Sequence, residues 1–243
     1  SNYKMNIIGF ILSRNNGTLI EKAIKKCPQC INQIFISDDK STDNTHEVAK
    51  KNGVEIFTNE KVNGYGGNVK NAIKVAFENF DADYAVEIHG DGAQFHPDAT
   101  YDALKIINDG LTKPDLILGS RFLNFRENMK MGYPIERMVP NFFISRIERI
   151  LLNIKITDFH QGFRIYSKNF YKTINLNNLA DNYLLSFEVI LHAKKNKLQI
   201  QEIPVICDYN SDHTSHKLFG KNSAFTYQLE TFNFIYKYFR NKL

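Results

Sequence analysis

This sequence has few cysteines, no tryptophan and no long apolar run. Its 243 residues contain three cysteines and no tryptophan, and no stretch approaches the ~20 apolar residues that cross a bilayer. So few cysteines, odd in number, argue against a disulfide-stapled exported domain, and we expect a cytoplasmic protein. The net charge of +5 is too small to indicate nucleic-acid binding, although it permits an anionic ligand or a membrane surface.

Two of the cysteines form a C-x-x-C pair, Cys27-Pro28-Gln29-Cys30. A zinc or redox site would need a second ligand pair or a thioredoxin-like setting, and the sequence has neither. Cys27 also continues an apolar helical stripe, so we predict a buried thiol at the end of a helix.

Aromatic residues are plentiful, with 19 Phe and 12 Tyr, which excludes disorder as the main state. In the first half of the chain, short apolar runs alternate with helical stripes. The runs that predict strands are 7–12, 33–37, 54–58, 84–89 and 116–119. This alternation predicts an α/β fold with a mostly parallel central sheet flanked by helices. Ligands of such sheets bind beyond the carboxyl ends of the strands.

The second half is less regular and ends in an aromatic-rich segment. We predict one domain over residues 6–220 and a C-terminal aromatic helix over 221–243, with residues 1–5 as a tail or tag remnant. A helix is expected from Pro140 to Ile154. Its apolar stripe comprises Phe143, Ile147, Ile150, Leu151 and Ile154, with arginines elsewhere on the same helix.

Polar residues follow the second predicted strand and open the best predicted helix. Asp38 and Asp39 come directly after the strand, where carboxylates can accept hydrogen bonds from a ribose or a base; the alternative is a turn that caps the next helix. The glycines between Asn63 and Gly67 precede the helix of residues 69–80. They permit either close approach of an anion to the helix N-terminus or simply a tight turn.

The loop from His89 to Gln94 follows the fourth strand and contains Asp91. Oxygen ligands suit Mg²⁺ or Mn²⁺ holding a diphosphate, and an imidazole shifts the preference toward Mn²⁺; the alternative is a polar loop before a helix. Arg121 ends the next strand and suits bidentate binding of phosphate. Lys217 lies in a late polar stretch that could close over a phosphate-bearing ligand, or could be a solvated loop.

Taken in order, these motifs resemble the family-2 glycosyltransferases of the GT-A fold, and most of all their dolichol-phosphate mannosyltransferase and polyprenyl-phosphate glycosyltransferase branch. The resemblance covers residues 6–220. The matching motifs are D-D-x-S-x-D-x-T at 38–45, N-x-G-x-G at 63–67, a D-x-D-like loop at 89–91, G-S-R at 119–121 and T-D-x-x-x-G-F-R at 157–164.

The resemblance implies a Rossmann-like GT-A sheet and inverting transfer of a sugar from a UDP- or GDP-linked donor, with Mn²⁺ or Mg²⁺. The acceptor would be a polyprenyl phosphate or a glycan hydroxyl. The residues implied to bind the donor nucleotide are Asp38, Asp39, Asn63, Gly67, Arg121 and Lys217. The implied metal ligands are His89, Asp91 and Gln94. The implied catalytic residues are Asp91, Asp158 and Arg164.

Three positions depart from the family pattern. His89 occupies the first place of D-x-D, Gln94 comes one residue late, and Gln161 stands where the family has Ser. Either the loop carries an extra residue, or Asp91 acts as the first Asp and Ala93 has replaced the second. The departures leave a degenerate nucleotide-sugar-binding module as one alternative. A sugar nucleotidyltransferase is another, although residues 13–17 lack the glycine-rich basic loop of such enzymes.

The acceptor side leaves further alternatives open. In the resembling branch the region of the Pro140–Ile154 helix lies against a membrane surface, and an apolar stripe bordered by arginine suits a lipid interface. A helix packed in the core would show the same stripe. The aromatic segment would add a second interfacial contact or a homodimer face, and the location would then be peripheral at the inner face of the membrane. A lipid phosphate needs no general base, whereas a hydroxyl acceptor would need one, for which Asp158 is the candidate.

Overall fold

The computed structural model describes residues 5–91, 95–209 and 224–243. Seven strands form one sheet in the order β3-β2-β1-β4-β6-β5-β7. The strands are β1 (Ile7–Ser13), β2 (Gln33–Asp38), β3 (Glu55–Thr58), β4 (Tyr84–His89), β5 (Leu116–Ser120), β6 (Arg164–Ser167) and β7 (Ile200–Pro204). Of these strands, only β6 runs antiparallel to its neighbours. The predicted α/β fold with a mostly parallel sheet is confirmed.

Helices cover both faces of the sheet. They are α1 (Ile20–Lys25), α2 (Thr45–Lys51), α3 (Gly64–Glu78), α4 (Ala99–Asn108), α5 (Phe125–Lys130), α6 (Ile135–Leu152), α7 (Lys168–Thr173), α8 (Leu185–Lys195) and α9 (Ala224–Phe239). Successive residues of β1 enter opposite cores: Phe10 belongs to one buried cluster and Ile11 to the other. A strand buried on both faces needs a continuous apolar run, which is why the runs predict these strands.

The edge of the sheet where the parallel strands end is where the predicted site residues gather. The ends of β1, β2, β4 and β5 meet there. Strand β6 begins at the same edge because it is antiparallel, with Arg164 opposite Leu118 of β5. The fold therefore brings the loop of residues 157–163 beside the strand ends, although β6 was not predicted from the sequence.

Helix α6 exposes its apolar stripe and buries a polar face. It begins at Ile135, five residues before the predicted start, and carries Pro140 in its interior. It ends at Leu152, so the predicted stripe member Ile154 lies beyond the helix and packs against the core. Phe143 is 60% exposed and Ile150 is 73% exposed, whereas Glu148 is fully buried. The stripe is therefore not packed in the core, and the core alternative for this helix is wrong.

Helix α9 packs against the domain through one side. Ile235 and Thr231 are buried, and Ile235 joins the core cluster that contains Phe10. The opposite side is apolar and exposed; it comprises Phe225, Leu229, Tyr236 and Phe239. The boundaries at 220 and 221 remain a prediction. In the part of the chain described, no helix is both long and apolar enough to cross a membrane.

Candidate active site at the strand ends

Asp38 and Asp39 are buried and bonded within the chain. Asp38 accepts hydrogen bonds from the backbone and hydroxyl of Ser41 and lies 3.1 Å from His46 Nε2. Asp39 accepts the N–H groups of Asn63 at 2.8 Å and Gly64 at 3.0 Å, which ties the end of β2 to the start of α3. Both carboxylates thus shape the edge of the sheet, and their contact with a nucleotide stays a prediction.

Helix α3 begins at Gly64, before the predicted residue 69, so the glycines lie in its first turn, where they have a packing role. The N–H groups of Gly66 and Gly67 donate to the carbonyl of Asp181 at 2.8 and 3.2 Å. A Cβ at Gly66 would collide with the carbonyl oxygen of Ala180. Gly66 is glycine because the backbone of residues 180–182 lies against it, whereas a Cβ at Gly67 would meet the side chain of Asn63. A nucleotide contact through the N–H of Gly67 would have to displace Asp181.

Glu87 forms a buried cluster beneath the end of β4 that the sequence motifs did not indicate. Its carboxylate lies 2.5 Å from Tyr65 Oη, 2.9 Å from Tyr166 Oη and 3.0 Å from His89 Nε2. Burial and the charge of Glu87 raise the pKa values of Tyr65 and Tyr166 well above their usual range. The missed signal was a charged residue inside an otherwise apolar strand, which carries a large cost unless it is paired.

His89 and Asp91 are the described members of the predicted metal set, while Gln94 lies outside the described residues. Burial alone would lower the pKa of His89, but the hydrogen bond and charge of Glu87 outweigh it and the pKa is raised. Asp91 is exposed just beyond the strand. No cluster of three or more acidic, His or Cys side chains able to hold a metal occurs within 5–91, 95–209 and 224–243. One carboxylate and one imidazole nonetheless fit an ion that takes its other ligands from phosphate and water.

Arg121 and Asp158, predicted for separate roles, form one buried ion pair. Arg121 Nε and Nη2 donate to the Asp158 carboxylate at 2.7 and 2.9 Å. Burial favours the neutral form of Asp158, but the charge and hydrogen bonds of Arg121 prevail and its pKa is lowered. Tyr133 stacks beneath the guanidinium, 5.1 Å from its carbon. Asp158 can act as a general base only if Arg121 first leaves it.

Glu202 of β7 holds the backbone of the Thr157-Asp158 dipeptide and so positions the ion pair. Its carboxylate accepts the N–H groups of Thr157 at 2.9 Å and Asp158 at 3.0 Å. Thr157 Oγ1 in turn lies 2.7 Å from the hydroxyl of Ser120 at the end of β5. The T-D dipeptide of the motif is therefore anchored on two strands.

Arg164 is fully buried and bonds to backbone carbonyls. Its guanidinium donates to the carbonyl oxygens of Phe159, Gln161, Phe163 and Ser186. Within the described residues its Nε has no hydrogen-bond partner. These contacts make Arg164 the centre of the loop between Asp158 and β6, and its contact with phosphate stays a prediction. Lys217 lies outside the described residues.

An apolar groove of ≈ 340 Å³ lies between α6 and the segment that follows β5. Its lining residues are Phe122, Phe125, Met138, Val139, Phe142 and Phe143. Phe122 follows Arg121 directly, and Phe143 belongs to the exposed stripe of α6. The groove therefore lies between that stripe and the segment that follows Arg121 in the chain.

The C-x-x-C pair is not part of the strand-end site. Burial raises the pKa of Cys27 to about 12, in accord with an unreactive thiol.

The fold and the strand-end motifs define the GT-A class of glycosyltransferases. A solved structure of similar fold is glucosyl-3-phosphoglycerate synthase from Mycobacterium tuberculosis, in complex with Mn²⁺, UDP and glucosyl-3-phosphoglycerate. It has a TM-score of 0.61 and 12% identity, over 98% of this chain and 80% of that chain.

The family is shown by sequence comparison. The profile of Glycosyl transferase family 2 matches residues 11–174, more than half of the chain, so the chain belongs to this family. A UDP-N-acetylglucosamine–dolichyl-phosphate N-acetylglucosaminyltransferase of Methanococcus voltae is 31% identical over 189 residues, which cover 71% of this chain and 73% of the relative. An uncharacterized protein of Methanocaldococcus jannaschii is 31% identical over 173 residues, covering 71% of this chain and 68% of that protein. The predicted resemblance is confirmed: the protein is a glycosyltransferase, and the nucleotidyltransferase alternative is not favoured.

Proposed function

We propose that this protein transfers a sugar, with inversion, from a nucleoside-diphosphate sugar to a polyprenyl phosphate at a membrane surface. The observation that carries the proposal is the apolar groove between Phe122, the residue after Arg121, and the exposed stripe of α6. A soluble glycan would gain nothing from such a surface, whereas a polyprenyl chain would bury apolar area in it. The similarity to a transferase that acts on dolichyl phosphate supports the same acceptor class.

The state of Asp158 also favours a phosphate acceptor over a hydroxyl. A phosphate oxygen is already ionised at neutral pH and attacks the anomeric carbon without a general base. The backbone N–H of Arg121 and two of its side-chain nitrogens donate hydrogen bonds to Asp158, so the best candidate for a general base is held in an ion pair. The Asp158–Arg121 pair then orients the loop beside the acceptor phosphate instead of moving a proton.

For the donor we propose a UDP-linked sugar and a divalent metal, with Mn²⁺ preferred. The M. voltae relative is named for a UDP sugar, and the solved M. tuberculosis structure contains UDP and Mn²⁺. Asp91 and His89 would hold the metal, which neutralises charge that develops on the departing diphosphate. Asp38 and Asp39 would then lie toward the ribose and base from the end of β2.

A thermal-shift experiment tests the donor class. We expect UDP with Mn²⁺ to raise Tm by about 5–10 °C at a hundredfold excess over Kd, because binding to the native state adds ~2.7 kcal/mol of stability. GDP, CDP and dTDP, each with and without Mn²⁺, are the matched comparisons. A stabilisation that is the same without metal would exclude the metal role, and no shift with any nucleotide would contradict donor binding.

Membrane contact is proposed through the exposed stripe of α6, at the cytoplasmic face of the membrane. Replacing Ile150 with glutamate should weaken binding to anionic lipid vesicles about tenfold, because a large apolar side chain contributes ~1.5–3 kcal/mol when buried. Leu111→Glu is the matched control, since Leu111 is 91% exposed outside α6 and the groove. Flotation with liposomes measures both variants. Equal flotation of Ile150→Glu and the unmodified protein would exclude this surface.

The exposed side of α9 is proposed as a second membrane contact. Phe225, Leu229, Tyr236 and Phe239 are each more than half exposed there. A homodimer through the same face is the competing arrangement, and it would appear as a dimer in solution without lipid.

A further inference from the structure

Glu87 is a buried carboxylate that lies outside the matched motifs. It is fully buried in β4, two residues before His89 and four before Asp91. Its neighbours in the strand, Val86 and Ile88, are buried apolar side chains that face the core. A charge at such a position costs several kcal/mol unless its partners satisfy it, so its presence calls for a purpose beyond packing.

We propose that Glu87 is a positioning residue that fixes the imidazole of His89 for the divalent metal and the donor diphosphate. This inference rests on the proposed function, because it concerns the metal of the same site. A carboxylate oxygen that faces one ring nitrogen of a histidine favours the tautomer with the proton on that nitrogen. His89 Nε2, 3.0 Å away, must therefore carry its proton toward Glu87, which leaves Nδ1 as the nitrogen that can face the metal.

The two tyrosines fix Glu87 itself. Tyr65 donates from α3 at 2.5 Å and Tyr166 donates from β6 at 2.9 Å, to different carboxylate oxygens. The carboxylate therefore has one orientation, set by helix α3 and by the neighbouring strand β6. A carboxylate behind a histidine ligand sets its tautomer and ring orientation, and loss of such a partner typically weakens metal affinity 10–100-fold.

The walls around the imidazole leave it little freedom. The Tyr65 ring meets it edge to face at 5.8 Å between centroids, and the Phe95 ring does so at 5.0 Å. Gly162 closes a third side, where a Cβ would lie 3.1 Å from His89 Cε1. Packing thus fixes the plane of the imidazole ring, and the hydrogen bond to Glu87 sets which of its nitrogens carries the proton.

Two measurements test this role of Glu87 without an assay of sugar transfer. Glu87→Gln keeps the size of the side chain but leaves one acceptor oxygen for three donors. We expect it to weaken Mn²⁺ binding about 10–100-fold, measured on the full chain by electron paramagnetic resonance with and without UDP. Glu188→Gln is the matched control, because Glu188 is another buried glutamate but its carboxylate accepts the N–H of Ala180, so Mn²⁺ affinity should change less than about threefold.

The second readout is the ¹⁵N spectrum of histidine-labelled protein without metal, with His89 assigned by its loss in His89→Asn. The unmodified protein should show a proton on Nε2 of His89, and Glu87→Gln should redistribute that proton. A bare Nε2 in the unmodified protein would overturn the inference even if Glu87→Gln fails to fold. Unchanged Mn²⁺ affinity and an unchanged spectrum in a folded Glu87→Gln would overturn it as well.

The outcomes for this role and for the proposed function are separable. Glu87-dependent Mn²⁺ binding in a protein that transfers no sugar would refute the function and keep the role of Glu87. Sugar transfer with Mn²⁺ affinity independent of Glu87 would refute that role alone.

Discussion

Asp91→Ala should lower kcat for sugar transfer by about 10³-fold or more and leave the fold intact. The carboxylate would supply the oxygen ligand of the metal, and losing several kcal/mol of stabilisation of the leaving diphosphate corresponds to a rate loss of this size. Asp91 is exposed beyond the end of β4, so stability should change by less than about 0.5 kcal/mol. Initial rates at saturating donor and acceptor, together with Tm, measure both effects.

Asp109→Ala is the matched control for this prediction. Asp109 is also an exposed aspartate, but it caps the end of α4, away from the strand-end loop. Its rate should equal that of the unmodified protein. If Asp91→Ala keeps more than a tenth of the activity, the carboxylate does not hold the leaving group's metal.

Arg121→Ala should destabilise the protein by about 3–5 kcal/mol, because it leaves the Asp158 carboxylate as an unpaired charge in the interior. In a chain of this size that loss lowers Tm by about 6–20 °C. Denaturant unfolding at pH 7 measures the free energy. Replacing both partners with apolar residues, Arg121→Met with Asp158→Leu, should cost less than the sum of the single changes, since no charge is then stranded.

An exposed ion pair provides the comparison. Lys105 Nζ lies 2.9 Å from Asp102 on the surface of α4, with both side chains exposed, and Lys105→Ala should cost under about 1 kcal/mol.

The lowered pKa of Asp158 sets how the stability of the protein depends on pH. Because the pKa of Asp158 is lowered in the folded protein, its stabilisation is present above pH ~4 and is lost as the pH falls through the folded value. The stability advantage of the unmodified protein over Asp158→Asn should therefore shrink at acidic pH.

A free energy of unfolding for Arg121→Ala within about 1 kcal/mol of that of the unmodified protein would contradict the buried Arg121–Asp158 pair.

The strands and the edge that carries the site could be predicted because their signals are local. A strand covered on both faces is a continuous apolar run, and β4 occupies the predicted residues 84–89. The motifs at the strand ends lie where the topology of a parallel sheet brings them together. Strand β6 was missed because it has only four residues and begins with a buried arginine.

The pairings within the site were beyond the sequence because they join distant residues. Arg121 and Asp158 are 37 residues apart, and each was assigned a separate contact with substrate. Tyr166 and Glu87 are 79 residues apart. The helical spacing of the apolar residues indicates the stripe of α6, but this spacing does not show what the apolar face packs against. Within residues 5–91, 95–209 and 224–243 the stripe stays exposed, whereas Glu148 and Ser145 on the other side of α6 are buried.

The most direct test of the proposed function is transfer of labelled sugar to lipid. The unmodified protein is mixed with Mn²⁺, vesicles that contain a polyprenyl phosphate, and UDP- or GDP-linked sugars in turn. The proposed function predicts that one donor, expected to be UDP-linked, gives a lipid-linked sugar of inverted anomeric configuration. It also predicts free nucleoside diphosphate in equal amount and no product from vesicles without the polyprenyl phosphate. Binding of nucleotide with no lipid-linked product from any donor would contradict it and identify a binding module instead.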